Sequence, residues 1–184
     1  MLNKAVFLDR DGVINFDYGY VHQISNFDII PGVFDAMKLL QDAGYKLIVI
    51  TNQAGIARGL YNITDYENLT KHMVKLFARK NINFSGIYHC PHHPSNGIIK
   101  KLSINCNCRK PRTGMIQKAE NDHKLNLQEC WLVGDKLSDI QAGNTSKLAG
   151  NILVKSSHDN SKEQNNLNYF LAENLLDASR IIVG

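Results

Sequence analysis

Short apolar runs that break off at polar or charged residues punctuate the chain. "KAVFL" (Lys4–Leu8) stops at Asp9, "YKLIVITN" closes on Thr51 and Asn52, "SGIYHC" on Cys90 and "CWLVGD" on Asp135, with a fifth run, "GNILVK", at 150–155. Uninterrupted apolarity over so few residues is how a strand reads when both of its faces are buried, as in a parallel sheet. Helical spacing appears between the runs. Val33, Met37, Leu40 and Ala43 share one face, and Gly44 stands where a helix stop belongs. "TDYE" (Thr64–Glu67) has the form of a capping box and predicts a helix from there to Arg79. "TGMIQKAENDHK", "SDIQAGNTS" and residues 174–181 complete the helical set, while the Asn- and Ser-rich stretch Lys155–Asn168 reads as an exposed loop. Strand and helix alternate throughout. The expectation is therefore an α/β fold, a Rossmann-like open parallel sheet with helices on both faces. The insertion after the first strand is short and nothing is long enough to form a separate cap domain, so residues 1–184 are expected to make a single domain.

Charge changes this picture only modestly. Twenty-one basic against seventeen acidic residues leave a net charge of +4. That bias suits a small anionic ligand and falls short of the dense basic stripe of a nucleic-acid binder, so no nucleic-acid partner is expected. No run of 18 apolar residues occurs, and no membrane-spanning helix is expected. "MLNKAVFLDRDG" leads straight into the first strand without the apolar core or small-residue cleavage site of a signal peptide, which makes a cytoplasmic, reducing location the expectation. There, clustered cysteines bind metal or do chemistry more readily than they form disulfides.

In an open parallel sheet, ligands bind beyond the carboxyl ends of the strands. Here those ends read "LDRDG", "TNQAG" and "GDKLSD", which brings Asp9, Asp11, Thr51, Asn52, Asp135 and Asp139 toward one crevice. A lone aspartate at a strand end is usually a turn or cap residue. Several meeting in one crevice repel each other unless a cation sits among them, and oxygen-only ligands suit Mg²⁺. Asp9 and Asp11 are two apart, so in extended chain both can face one substrate. One can attack phosphorus and form an acyl phosphate. The other can protonate the leaving oxygen and later take a proton from water. Mg²⁺, Lys110 and the Thr51 hydroxyl would hold the charge of the transferring phosphoryl group.

The segments "FLDRDGV", "VITN", "RKP" and "VGDKLSD" resemble, in order and spacing, the four motifs of the haloacid dehalogenase-type phosphatases. The resemblance implies that Asp9 is the nucleophile and Asp11 the acid/base, with Thr51 and Lys110 as the phosphate-holding hydroxyl and ammonium. It also implies Mg²⁺ at Asp9, Asp11 and Asp135, with Asp139 just outside, and hydrolysis of a phosphate ester rather than of ATP.

The stretch "CPHHPSNGIIKKLSINCNCRKP" (Cys90–Pro111) holds two chelating pairs, Cys90/His92 and Cys106/Cys108, with thirteen residues (His93 to Asn105) between them. Four such ligands in two close pairs fit a closed, structural Zn²⁺ site, giving a zinc-binding loop over 90–108. His93 rivals His92; the matching one-residue spacers favour His92. A loop this long without periodicity needs something to order it, and zinc would also fix Arg109 and Lys110, which follow Cys108 directly. Cys130, beside Trp131, reads as a small core residue.

Together with "DYGYVH", "TNQAGIARG" and "VGDKLSDIQAG", this loop resembles the capless branch of the family that contains the heptose-bisphosphate and histidinol-phosphate phosphatases. "GYVH" and "TNQAGIARG" favour the heptose side. That resemblance implies a pocket of Asp17, Tyr18, Gly19, Tyr20, Thr51, Asn52, Gln53, Ala54, Arg109, Lys110 and Lys136. It further implies a small phosphosugar substrate, a monomer, and a part in lipopolysaccharide core assembly. Other readings stand beside it. Tyr18 and Tyr20 could simply pack, Arg58 reads as a loop-anchoring cation, and His22 as a brace. Thr113 occupies a position where the family commonly has proline, and it could cap the following helix. A polynucleotide 3′-phosphatase is disfavoured by the low charge, and a zinc-knuckle binding module without catalysis by the intact motifs.

Overall fold

The strands form because their β-branched and aromatic residues can be buried on both faces of one sheet. In the computed structural model, which describes residues 2–155 and 167–184, β1 (Ala5–Leu8), β2 (Lys46–Asn52), β3 (Phe84–Cys90), β4 (Trp131–Gly134), β5 (Gly150–Val154) and β6 (Phe170–Ala172) pair in the order β3-β2-β1-β4-β5-β6. Every pairing is parallel. The chain builds outward from β1 in one direction and then, from β4, in the other. The order therefore reverses beside β1, and the crevice at such a switch point is where open α/β sheets bind ligands.

Alternation along β1 sends Val6 and Leu8 into one core and Ala5 and Phe7 into the other. The first core is closed by α1 (Val33–Asp42), α2 (Ile63–Ala78) and α5 (Leu175–Val183), through residues such as Met37, Leu40, Leu69, Phe77 and Ile182. The second is closed by α3 (Gly114–His123), through Met115, Ile116 and Ala119, and by Ala142 of α4 (Leu137–Thr145). Helices thus cover both faces, as the sequence pattern predicts. No described helix is long and apolar enough to cross a membrane.

Three local details differ from the sequence reading. The α2 helix starts at Ile63 because Asn62, not Thr64, is its N-cap: Asn62 Oδ1 accepts from Asp65 N at 3.0 Å and Asp65 Oδ2 accepts from Asn62 N at 2.9 Å. Strand β6 is a sixth strand beyond the five expected; it is three residues long and extends the sheet past β5, with Phe170 and Leu171 exposed. Thr113 sits at the N-cap position of α3, but its side chain makes no capping bond. Most of the polar stretch expected as a loop, residues 156–166, lies outside the described residues.

Phe77 joins α1, α2 and β3, with its ring centroid 4.8 Å from that of Phe34 and 5.1 Å from that of Phe84. Phe77→Ala is expected to destabilise the protein by about 3–5 kcal/mol, the usual loss for a buried aromatic, read from urea denaturation. Turnover per folded molecule should hold, because Phe84 stands at the start of β3, the end opposite to the one that carries the polar residues.

Candidate active site

Two strand ends and the helix that follows one of them deliver three carboxylates to one point. Asp9 follows β1, Asp135 follows β4, and Asp139 lies in the first turn of α4. An oxygen from each lies within 4.8 Å of the others, and all three residues are buried. Two glycines leave the space for this. A side chain at Gly12, which has φ +85°, would put its Cβ 2.4 Å from Asp135 Oδ2, and one at Gly134 would put it 2.3 Å from Asp139 Cβ.

Lys110 enters from the loop before α3. Its Nζ lies 2.6 Å from Asp139 Oδ1 and 3.1 Å from Asp9 Oδ1, and it donates to Ile50 O at 2.7 Å. Burial pushes its ammonium pKa down, but Asp139 and Asp9 outweigh that and leave it raised, so Lys110 stays charged. The backbone beneath it is clamped by Asn52, whose Oδ1 accepts from Lys110 N and whose Nδ2 donates to Lys110 O, both at 3.1 Å. Lys136 Nζ lies 3.7 Å from Asp135 Oδ2. Burial, followed by the Asp9 charge, raises its carboxyl pKa to about 7. Carboxylates crowded this way are a cradle for a hard divalent cation.

Asp11 is arranged differently. Its carboxylate accepts from Arg10 Nε and NH2, from Asn15 Nδ2 at 3.0 Å and from Gln53 Nε2 at 3.1 Å, and it is not among the converging oxygens. Gln53 Nε2 also donates to Thr51 Oγ1 at 2.8 Å, so the hydroxyl and this second carboxylate share a hydrogen-bond partner.

A cavity of about 570 Å³ opens over these groups. Its walls include Asp9, Asp11, Asp17, Gly19, Tyr20, Thr51, Asn52, Gln53, Ala54, Arg109, Lys110 and Lys136, so the sequence-predicted pocket residues come together with one exception. Tyr18 lies outside it, 60% exposed, donating to Asp28 Oδ2. Sequence reasoning passed over Tyr61 and Ser138, which also line the cavity, and gave Arg58 only an anchoring part. Tyr61 carries no motif; its hydroxyl reaches Gln53 Oε1 at 2.5 Å, a link only the folded turn reveals.

Behind one wall, the ends of the 90–108 loop meet. Cys90 Sγ is 3.5 Å from Cys106 Sγ, Cys106 is 3.4 Å from Cys108, and His92 Nδ1 is 3.3 Å from Cys108 Sγ. His93 turns elsewhere: its Nδ1 accepts from Ser95 N and Asn96 N. Cys130 is buried apart from this cluster, with its Sγ 3.2 Å from Ala5 N.

A family profile described as "HAD-hyrolase-like" matches residues 107–178. The chain is 40% identical over 182 residues, 98% of its length and 97% of the relative's, to D-glycero-beta-D-manno-heptose-1,7-bisphosphate 7-phosphatase of Haemophilus influenzae. It is likewise 40% identical to the Escherichia coli K12 protein of that name, over 97% of this chain and 93% of the other. The chain belongs to the haloacid dehalogenase-like phosphatases. Among solved structures of the family, D,D-heptose 1,7-bisphosphate phosphatase from B. bronchiseptica, complexed with magnesium and phosphate, superposes with a TM-score of 0.84 at 27% identity, over 99% of this chain and 98% of the other.

Two donor clusters in this chain could each hold a metal ion. The acidic cradle fits Mg²⁺ because a buried carboxyl with a pKa near 7 beside Asp9 is relieved by a cation. The sulfur and imidazole cluster fits Zn²⁺: metal–sulfur bonds of about 2.3 Å in a tetrahedron place donors a little under 4 Å apart, close to the spacings found here. The closed donor set leaves no open position for chemistry. Its effect on the phosphatase site is positional, since Arg109 and Lys110 follow Cys108 directly and Arg109 NH1 donates to His92 O at 3.3 Å. Cys108→Ser is expected to strip zinc from the purified protein and to lower kcat/KM about 100-fold, as misplacement of a phosphate-binding group by an ångström does. Metal analysis beside steady-state kinetics checks this; full activity without zinc would contradict it.

Proposed function

We propose that the chain hydrolyses the 7-phosphate of D-glycero-β-D-manno-heptose 1,7-bisphosphate. The observation that carries this reading is a single cavity holding two sets of phosphate-binding groups. Asp9 and Lys110 lie at its floor, and Arg109 and Lys136 stand among its walls. A substrate with two phosphates can use both sets at once. Near full-length identity to relatives bearing that name supports the choice of sugar.

In this reading, an Asp9 carboxylate oxygen attacks the phosphorus, the bond to the sugar oxygen breaks, and an aspartyl phosphate forms. Asp11 gives its proton to the leaving sugar oxygen. It then takes one from the water that attacks the same phosphorus, which releases phosphate and restores Asp9. Lys110 and the Thr51 hydroxyl hold the equatorial phosphoryl oxygens. Asp9 and Asp135 would hold Mg²⁺, which would supply positive charge against those oxygens. Asp139 fixes Lys110 rather than touching substrate, as its 2.6 Å contact supports. Arg10, buried and bonded to Asp11 and to Val21 O, fixes the position of the acid/base carboxyl group. The same reading has the enzyme work as a monomer in the cytoplasm on a free phosphosugar, supplying the heptose 1-phosphate that lipopolysaccharide core assembly consumes.

Mg²⁺-dependent phosphate release from the β- and α-heptose 1,7-bisphosphates and from histidinol phosphate, side by side, tests the substrate. A kcat/KM preference of about 100-fold for the β-anomer is expected, which corresponds to roughly 2.7 kcal/mol of transition-state discrimination. Equal or faster turnover of histidinol phosphate would refute the heptose reading. Arg109→Ala should raise KM for the bisphosphate roughly 10- to 100-fold, the range for losing a charge-assisted bond. A generic monoester such as p-nitrophenyl phosphate should feel far less, and equal losses on both would remove Arg109 from the second phosphate.

A further inference from the structure

One wall of the cavity is made by a residue in an unfavourable backbone conformation. Gly19 and Tyr20 have φ of 81° and 54°, consecutive left-handed positions. Glycine adopts that region freely, whereas a bulky aromatic does so only when its surroundings hold it there. What holds Tyr20 is visible. Arg58 NH1 donates to the Tyr20 hydroxyl, and the same guanidinium lies over the ring, 5.4 Å from its centroid. The Tyr20 carbonyl accepts from His22 Nδ1 at 2.8 Å, and the His22 ring stacks on Tyr61 at 4.8 Å. The bare backbone of Gly55 lets both tyrosines approach: a Cβ there would lie 3.0 Å from Tyr20 Cδ1 and 2.1 Å from Tyr61 Cε1.

Arg58 is itself held from behind. The carbonyl of its neighbour Ala57 accepts two backbone bonds from the cysteine loop, from Ile98 N at 2.8 Å and Ile99 N at 3.0 Å. Its NH2 lies 3.3 Å from His93 Nε2. Because His93 Nδ1 accepts two backbone N–H groups, the proton of the neutral ring is on Nε2, so Arg58 faces a donor there and its hydrogen bond goes to Tyr20.

We infer that Arg58 is a positioning residue: it latches Tyr20 and thereby orders the 17–22 segment as a wall of the substrate cavity before substrate arrives. The cysteine loop and the substrate segment are then joined through Arg58, and ordering one supports the other. A segment already ordered costs a ligand less to bind, so the latch acts on substrate affinity rather than on the phosphoryl-transfer groups.

The substrate part of the test rests on the bisphosphatase reading, so it is paired with a measurement that needs no substrate. Hydrogen exchange of the 17–23 amides, followed by mass spectrometry, should quicken several-fold in both Arg58→Met and Tyr20→Phe. With the heptose bisphosphate, each variant should raise KM about tenfold, more than it lowers kcat, and the double variant should be no worse than either alone, as for two residues sharing one interaction. Arg58→Lys should not restore KM, because an ammonium cannot both bond the hydroxyl and cover the ring as a guanidinium does. Three results would each overturn the latch: unchanged exchange in both variants, a silent Tyr20→Phe beside a damaged Arg58→Met, or additive losses of about 100-fold in the double variant. If the bisphosphate is not turned over at all, the substrate reading fails while the exchange result still decides the latch.

Discussion

The ammonium of Lys110, buried between Asp9 and Asp139, is the interaction on which the site depends. Without it, three buried carboxylates at adjoining strand ends would have to be protonated or the strands would have to part. Lys110 compensates Asp9 and Asp139, while burial and the neighbouring Asp9 charge raise the Asp135 carboxyl pKa to about 7. A divalent cation bound among these oxygens would relieve that crowding.

Lys110 reaches this position from a loop whose few apolar residues follow no regular spacing, and the energetics of that loop explain the concentration of cysteine and histidine. Ordering some twenty residues without a regular hydrophobic face costs more than local hydrogen bonds return. Joining Cys90, at the end of β3, to Cys106 and Cys108 through a metal fastens both ends of the loop to the sheet. Asn52, at the end of β2, then clamps the Lys110 backbone on both its N–H and C=O. The same loop reaches forward to Ala57 and so to Arg58, which carries its order across to the substrate segment. The cysteine cluster, Lys110 and the cavity wall at Tyr20 form one connected scaffold.

Much of this was legible in the sequence because the pattern is set by burial. Strands covered on both faces leave polar residues only at their ends, so the abrupt stops at Asp9, Asn52 and Asp135 marked the site directly. Other features depend on tertiary contacts that no local pattern carries. Strand β6 is three residues long and exposed at Phe170 and Leu171, and it pairs only because β5 offers an edge. The start of α2 was blurred by two overlapping capping patterns, Asn62–Asp65 and Thr64–Glu67, and the geometry uses the first. Alternation along extended chain placed Asp9 and Asp11 on one cavity, which both line, whereas the resemblance alone put Asp11 on the metal; its carboxylate meets Arg10, Asn15 and Gln53 and lies outside the converging oxygens. Arg58 looked like a loop anchor, and only the fold shows that it bonds Tyr20 of the 17–22 segment, which lines the cavity.

The claim that Asp9, and not its neighbour two residues on, takes the phosphoryl group can be tested at the residue itself. Acid quenching during steady-state turnover followed by borohydride reduction converts an aspartyl phosphate to homoserine. Trypsin, cutting after Lys4 and Arg10, then releases Ala5–Arg10, which contains Asp9 alone, while Asp11 begins the next peptide. Homoserine in the Ala5–Arg10 peptide is the expected result. Homoserine at Asp11, or in neither peptide while phosphate is being released, would contradict the account.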